Sequence, residues 1–413
     1  MILHEPFDDE LRTYAELVIR LGVNVQLGQR VVIRCQPEQA ATARALANEA
    51  YRVGARHVSI EYRDQHLHRA QVEHAPDEEL GKVLAHEVAN VRSWGEDRVA
   101  IINLTGNPNP TLMEGLDPDR LSRSAPVDLI KELMPITTTN QVAWTVVAAP
   151  TPGWAEAVLG TPDTRRLWEG IKVAMRLDQA DPVRSWQEHN AALHLRRDML
   201  NSRGFDRVRY RGPGTDLSMG LAPGNAWAGG SITNADGIDF MPNLPTEEVY
   251  TAPDWRRVEG TIQTTAAFFL MSMNTLVEDL RLEVSDGTIT AATAARGEAA
   301  VHAQFDAVPR SRHFGEIAIV DKDSAVKRSG LVYQDMLYDE NAGSHVAWGA
   351  GFPFNVPGSD ALNPDERVSQ GLNQSSTHVD IVIGSPEVEI DGIAKDGTVT
   401  PITRGDTFVL ASA

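Results

Sequence analysis

The hydrophobic pattern changes its period at Gly204, and this change constrains the architecture more than any composition figure. Before it, apolar strand-like runs alternate with helical stretches. Residues 8–22 (DDELRTYAELVIRLG) place Leu11, Tyr14, Ala15, Val18, Ile19 and Leu21 near helical spacing, with acids in the first turn and glycine at the end. QRVVIRC then reads as a strand, EQAATARALANEAYRVGA as a helix and HVSIEY as a second strand. RVAIINLTG and QVAWTVVAAP continue the pattern around a helical stretch near 111–134, predicting an amino-terminal α/β domain with a mainly parallel sheet. Three helical patterns follow, and the last, VRSWQEHNAALHLRRDMLNSRG, reads as a connector, which puts the boundary near residue 190 and the domains at 1–190 and 191–413.

After Gly204 the strands become short and alternating: RVRYRGPGTD, DLSMGLAPG, VEGTIQTTAAF, LRLEVSDGTITAAT, GEIAIV, HVDIVIGS and VEIDGI. Asp-Gly pairs in SDG (285–287) and KDG (395–397) suit tight hairpins. The second domain is therefore expected to be a mixed, antiparallel-rich α+β domain with GEAAVHAQFDA as a helix on it. A length of 413 residues suits two cores of this kind.

Charge narrows the partners. Thirty-eight Lys and Arg against 57 Asp and Glu give a net charge of -19, a field that repels phosphate backbones and anionic membrane surfaces. Nucleic acid and membrane are not expected as partners. The single cysteine, Cys35, excludes an internal disulfide and a cysteine-based zinc cluster, and its apolar run predicts a buried strand thiol. The first 20 residues lack a basic stretch leading into an apolar run, and no uncharged run approaches 18 residues, so a cytoplasmic location is expected.

Acids and imidazoles recur in the strands of the second domain. In STHVDIVIG, alternation projects His378 and Asp380 to one side and Val379, Ile381 and Ile383 to the other. In GEIAIV, Glu316 sits in an otherwise apolar strand, where an ionised carboxylate needs a cationic partner. In NLPTEEVYTAP, Glu248 shares a face with Thr246 and Tyr250 while Glu247 points with Val249, and the flanking prolines fit an edge strand. In LYDENAGSHVAWGAGFPF, Glu340 and His345 reach one site only if the chain turns between them, as NAGS invites. Ser344 there suits the cap of a helix starting near His345, and Gly349 and Gly351 suit close backbone approach. Two histidines and up to four acids without cysteine suit zinc, cobalt, manganese or iron, and so acid-rich a set fits two metals sharing a carboxylate.

The motifs GPGTDLSMGL, NLPTEEVYTAPD, GEIAIV, YDENAGSH and HVDIVIGSPEVEIDGI, with YAELVIRLGVNVQLGQRVVIR near the amino terminus, resemble in order those of the aminopeptidase T and aminopeptidase S family of metallopeptidases. The resemblance implies a two-domain homodimeric exopeptidase that acts on small peptides with two divalent metals, zinc or cobalt or else manganese. It implies Glu248, Glu316 as the bridging carboxylate, Glu340, His345, His378 and Asp380 as ligands, with Glu248 chosen over its neighbour from the flanking residues and its strand face. Glu247 is then the free carboxylate expected to shuttle a proton during attack by a metal-activated water.

Two departures stand out. The family resembled has a tyrosine seven residues after the motif histidine, where this chain has Phe352, which cannot donate a hydrogen bond. AAFFLMSMN (266–274) replaces an expected polar, glycine-containing stretch and implies a more apolar pocket. Alternative readings are a mononuclear iron ring-opening dioxygenase of the same fold and a non-catalytic, metal-braced homologue.

Overall fold

The computed structural model describes residues 8–411, in which the chain divides into two compact units. Part of the leader reading above, residues 1–7, lies outside the described residues. The first unit runs to Lys172 and adds Leu177–Val183 and Ser231–Leu244; the second takes Val173–Arg176, Arg184–Gly230 and the chain from Pro245. A single cut near residue 190 does not describe this division. The segment Ser231–Leu244 returns to the first unit because Asn243–Leu244 pairs in parallel with Trp144–Ala148 as the last strand of its sheet.

That sheet has the order His57–Tyr62, Arg30–Cys35, Ala100–Thr105, Trp144–Ala148, Asn243–Leu244, and every pairing in it is parallel. Its central strands are near-continuous apolar runs, as expected when helices cover both faces. Val32 and Ile101 join Val91 and Trp94 of the Ala85–Glu96 helix and Ile136 of the Val127–Thr138 helix in one core cluster. The first helix is α over Asp8–Leu17 and widens to a π turn over Val18–Gly22. Cys35 is buried, and burial pushes its thiol up to about 11.

The second unit is antiparallel in every pairing among the described residues, the antiparallel-rich domain expected. An eight-stranded sheet carries the SDG and KDG hairpins. Asp286 and Gly287 both adopt positive φ (48° and 72°), the backbone that matches the twist of paired strands. A four-stranded sheet has the order Glu248–Thr251, Phe314–Val320, His345–Gly349, His378–Val382. One of its faces supplies Val249, Ile317, Ile319, Val346, Trp348, Val379 and Ile381 to the core shared with the eight-stranded sheet.

Local cap signals mislead at Ser344, because His345–Gly349 is a strand and not a helix. The Ser344 hydroxyl donates to the Val320 carbonyl at 3.2 Å and accepts from the Val320 N–H at 3.1 Å, so it fastens the start of this strand to its neighbour.

Candidate metal centre

The opposite face of the four-stranded sheet carries the chemistry. Its register sets Glu248 against Val320, Tyr250 against Ala318, Ala318 against His345, Glu316 against Ala347, Ala347 against Asp380, and Gly349 against His378. Side chains opposed across a ladder share a face, so the large polar groups all rise on one side, separated by the small residues Ala318, Ala347 and Gly349. Those gaps let carboxylates from neighbouring strands converge. Glu248 stands on the edge strand, as its framing prolines suggested.

Two ligand-like groups result, Glu248 with Glu316 and His345, and Glu316 with His378 and Asp380, each within 4.8 Å of its own members. Glu316 belongs to both. His345 Nε2 lies 3.0 Å from Glu248, 3.6 Å from Glu316 and 3.8 Å from Asp380; His378 Nε2 lies 3.3 Å from Asp380 and 3.9 Å from Glu316. Each imidazole is oriented from behind. His345 Nδ1 donates to the Gly343 carbonyl at 3.0 Å and His378 Nδ1 to the Ala350 carbonyl at 2.7 Å. A carbonyl only accepts, which leaves Nε2 of both rings to face the cluster.

The turn over Glu340–Ala342 brings Glu340 back beside the group, yet it belongs to neither triad. Asn341 Nδ2 approaches Glu340 Oε1 at 3.4 Å, and a small cavity next to Glu340 and Asp380 is walled by Phe268, Phe269, Met336 and Val379. Phe268 and Phe269 of AAFFLMSMN stand in that wall, together with the acid Asp339. The Asp339 carboxylate accepts the N–H groups of Tyr333 and Asp335.

Packing these groups together without a cation would be costly, and the environment of each group shows where. Burial raises Glu316 to about 7 against the pull of both imidazoles, and burial with Asp380 and Glu248 raises Glu340 well above the usual carboxylate range. Burial disfavours charged imidazoles, but the surrounding carboxylates outweigh it, lifting His345 well above its ordinary value and His378 to about 9. Burial likewise works to raise Asp380, and His378 overcomes it and holds the group low. Glu248 Oε2, His345 Nε2 and both Asp380 oxygens are buried without a hydrogen bond, even where the distances are short. Native interiors rarely leave such atoms orphaned, each at a cost of about 1–3 kcal/mol or more when charged. A nitrogen and oxygen donor set with unpaired lone pairs pointing inward fits divalent cations.

The thermophilic metalloprotease (M29) family matches residues 7–408. The chain belongs to this family. It is 38% identical over 412 residues to aminopeptidase T of Thermus thermophilus, covering 98% of this chain and 100% of that one. It is 34% identical to aminopeptidase PepS of Streptococcus thermophilus and 33% identical to aminopeptidase 2 of Geobacillus stearothermophilus, with 98% of this chain and 99% of each relative covered. The solved structure of wild-type AmpT from Thermus thermophilus superposes with a TM-score of 0.88 at 36% identity, over 98% of this chain and all of that one. Neither the oxygenase nor the non-catalytic reading is favoured by these matches.

Glu247 of this M29 protein is not a free carboxylate. Arg176 grips it with two bonds, NH1 to Oε1 at 2.6 Å and NH2 to Oε2 at 2.8 Å, and Ala325 N–H adds a third at 3.1 Å. Its own N–H donates to Asn341 Oδ1 at 2.6 Å, tying the residue before Glu248 to the residue after Glu340. His189 lies against the same pair: its Nε2 donates to the Thr246 carbonyl at 2.9 Å and its Nδ1 accepts from Arg176 at 3.1 Å, which makes the ring neutral. Arg176 and His189 escaped the sequence reading because nothing local marks them.

Phe352 packs on the His378 ring (centroids 4.7 Å apart) and stacks on Phe354 at 5.2 Å, and Phe354 meets Tyr250 edge to face at 6.1 Å. Tyr250 lies close enough to the acids that burial, and then Glu248, Glu316 and Glu340, keep its phenol protonated far above the ordinary value.

Proposed function

We propose that this chain releases amino-terminal residues, the activity that the name aminopeptidase gives its relatives, from short peptides, with two divalent cations held on one face of the four-stranded sheet. The observation that carries the reading is Glu316, common to two triads in which Glu248 Oε2, His345 Nε2 and both Asp380 oxygens are buried and unpaired. Glu248 and His345 would hold one ion, His378 and Asp380 the other, and Glu316 would bridge them; zinc, cobalt or manganese suits the donors.

Such a pair of ions supplies Lewis acidity to the scissile carbonyl and to a water. The chain's own residues do the rest. Gly343 and Ala350 carbonyls fix the two imidazoles, so the site is preorganised. Glu340 takes the proton-shuttle role that Arg176 denies to Glu247: it stands outside both triads, beside Asp380, and Asn341 approaches only its Oε1. Phe268, Phe269 and Met336 favour an apolar first side chain.

Aminoacyl anilides and dipeptides assayed with added cobalt, zinc or manganese test the activity, and metal analysis tests the stoichiometry. The expected results are turnover and about two ions per chain. Folded protein inactive with every metal would end the peptidase reading, and one ion per chain would end the bridged pair. We further propose a homodimer, as the family resemblance implies, and separately a cytoplasmic location; light scattering decides the first and fractionation the second.

A further inference from the structure

We propose that Tyr250 is the hydrogen-bond donor to the oxyanion in peptide hydrolysis, an inference that rests on the aminopeptidase reading above. An attacked amide carbonyl develops a negative oxygen, and a donor placed at that oxygen accounts for a large part of the acceleration in acyl transfer. Phe352 has no such group. Tyr250 does, on the metal-facing side of the sheet, two residues from Glu248 and directly across from Ala318, which in turn opposes His345. The row Tyr250, Ala318, His345 thus runs across three strands with only a methyl at its centre.

The tyrosine is also held in place. Its backbone N–H and carbonyl pair with Ala228 at 2.9 Å each, while Ala318 pairs with it from the other side, so its Cα is fixed between two strands' worth of contacts. Phe354 meets the ring edge to face, and Phe352 and His378 continue the aromatic row. Among the described residues no hydrogen bond engages the hydroxyl, so its proton is available to a ligand. The ring is positioned by packing and the O–H is left for the reaction.

In the step concerned, the oxygen of a water bonds to the carbonyl carbon while the carbonyl π pair moves onto the carbonyl oxygen. Glu340 takes one water proton. The Tyr250 O–H donates to the oxyanion and keeps its proton. Collapse restores the carbonyl, the C–N bond breaks with its electron pair on nitrogen, and nitrogen receives the proton from Glu340; the products are a carboxylic acid and an amine.

The test is Tyr250→Phe, which retains the ring and its packing on Phe354. Expected is a fall in kcat of about a hundredfold to a thousandfold, with KM, melting temperature and metal content close to the parent. Binding of a phosphinic dipeptide, whose tetrahedral oxygens imitate the oxyanion, should weaken by a similar factor by calorimetry, while binding of the free product amino acid stays unchanged. A kcat and a phosphinate affinity both within about threefold of the parent overturn the assignment and leave the aminopeptidase reading standing. Should the parent turn over no peptide with any metal, that reading fails and takes this assignment with it. A variant that loses metal and stability along with activity makes Tyr250 structural and overturns it too. Phe352→Tyr added to Tyr250→Phe serves as a control for the aromatic row, which must keep the parent's metal content.

Discussion

Removing the Arg176 guanidinium should destabilise the second unit more than any comparable surface change, and the size follows from the geometry. Arg176 and Glu247 have side chains 8% and 2% exposed and are joined by two short parallel bonds. Arg176→Ala leaves the carboxylate buried beside Ala325 N–H and neutral His189 with no cation, and deleting one partner of such a pair costs about 3–5 kcal/mol. The double variant Arg176→Ala, Glu247→Ala buries no charge and loses only the hydrogen bonds to Ala325 and His189, about 1–3 kcal/mol for each group stranded. It should therefore be no less stable than Arg176→Ala alone. Urea unfolding of the metal-loaded proteins measures this, and Trp186, whose ring lies 4.6 Å from the guanidinium, gives a local fluorescence signal.

The pH dependence supplies an independent check. Burial, and then the Arg176 charge, lower His189 to about 4, against Glu247, which raises it. A histidine depressed in this way stabilises the fold above its ordinary value near 6.5 and loses that contribution as pH falls toward 4. In Arg176→Ala the opposing charge is gone and the unpaired carboxylate remains, so His189 protonates more readily and replaces part of the missing cation. The deficit should shrink between pH 7 and 5. Glu247 also precedes Glu248 and anchors Asn341, so metal affinity should fall by about 10–100-fold, the effect typical of losing an outer-shell partner. A loss below about 1 kcal/mol, equal at both pH values and with unchanged metal affinity, would refute the positioning role.

Glu316→Gln should empty both triads, reducing bound metal well below one ion per chain, whereas Glu248→Gln should spare the His378 and Asp380 side; metal analysis after dialysis distinguishes them. Chelated protein should lose melting temperature relative to loaded protein as pH rises. Glu316 near 7 and His378 near 9 both exceed their unfolded values, so their contributions are complete below about 4.5 and 6.5 and vanish as pH passes through the folded values. A difference between chelated and loaded protein that is flat from pH 5 to 9 would contradict it. Gly349→Ala should cost about 2 kcal/mol or more and disturb the His378 side, because Gly349 holds φ at +101° and a Cβ there would meet the Thr377 carbonyl oxygen at 2.1 Å; thermal melting and metal content report it.

How far the site is legible in the sequence depends on whether a feature is periodic or only spatial. The two-residue period of a strand put His378 and Asp380 together and separated Glu248 from Glu247, and the register bears out both faces. It also flagged Glu316, because a carboxylate in an otherwise apolar strand must be answered by something. Ser344 departs from its local signal because cap chemistry is local while its bonds go to Val320, twenty-four positions away. The two-residue strand Asn243–Leu244 is too short to carry a period, so the return of its segment to the first unit had no signal.

Glu247 marks the limit most clearly. Alternation correctly turned it from the metal face, and a buried carboxylate there has two solutions, a metal or a guanidinium. The one adopted comes from Arg176, seventy-one positions earlier. Arg176 itself takes φ of +54°, a left-handed conformation that is uncommon for a residue with a side chain and persists only where contacts fix it. Two bonds to Glu247, one to His189 and the Trp186 ring supply those contacts. The strain and the ion pair thus explain each other, and both arise only when the two segments meet, which is why no reading of either one alone can find them.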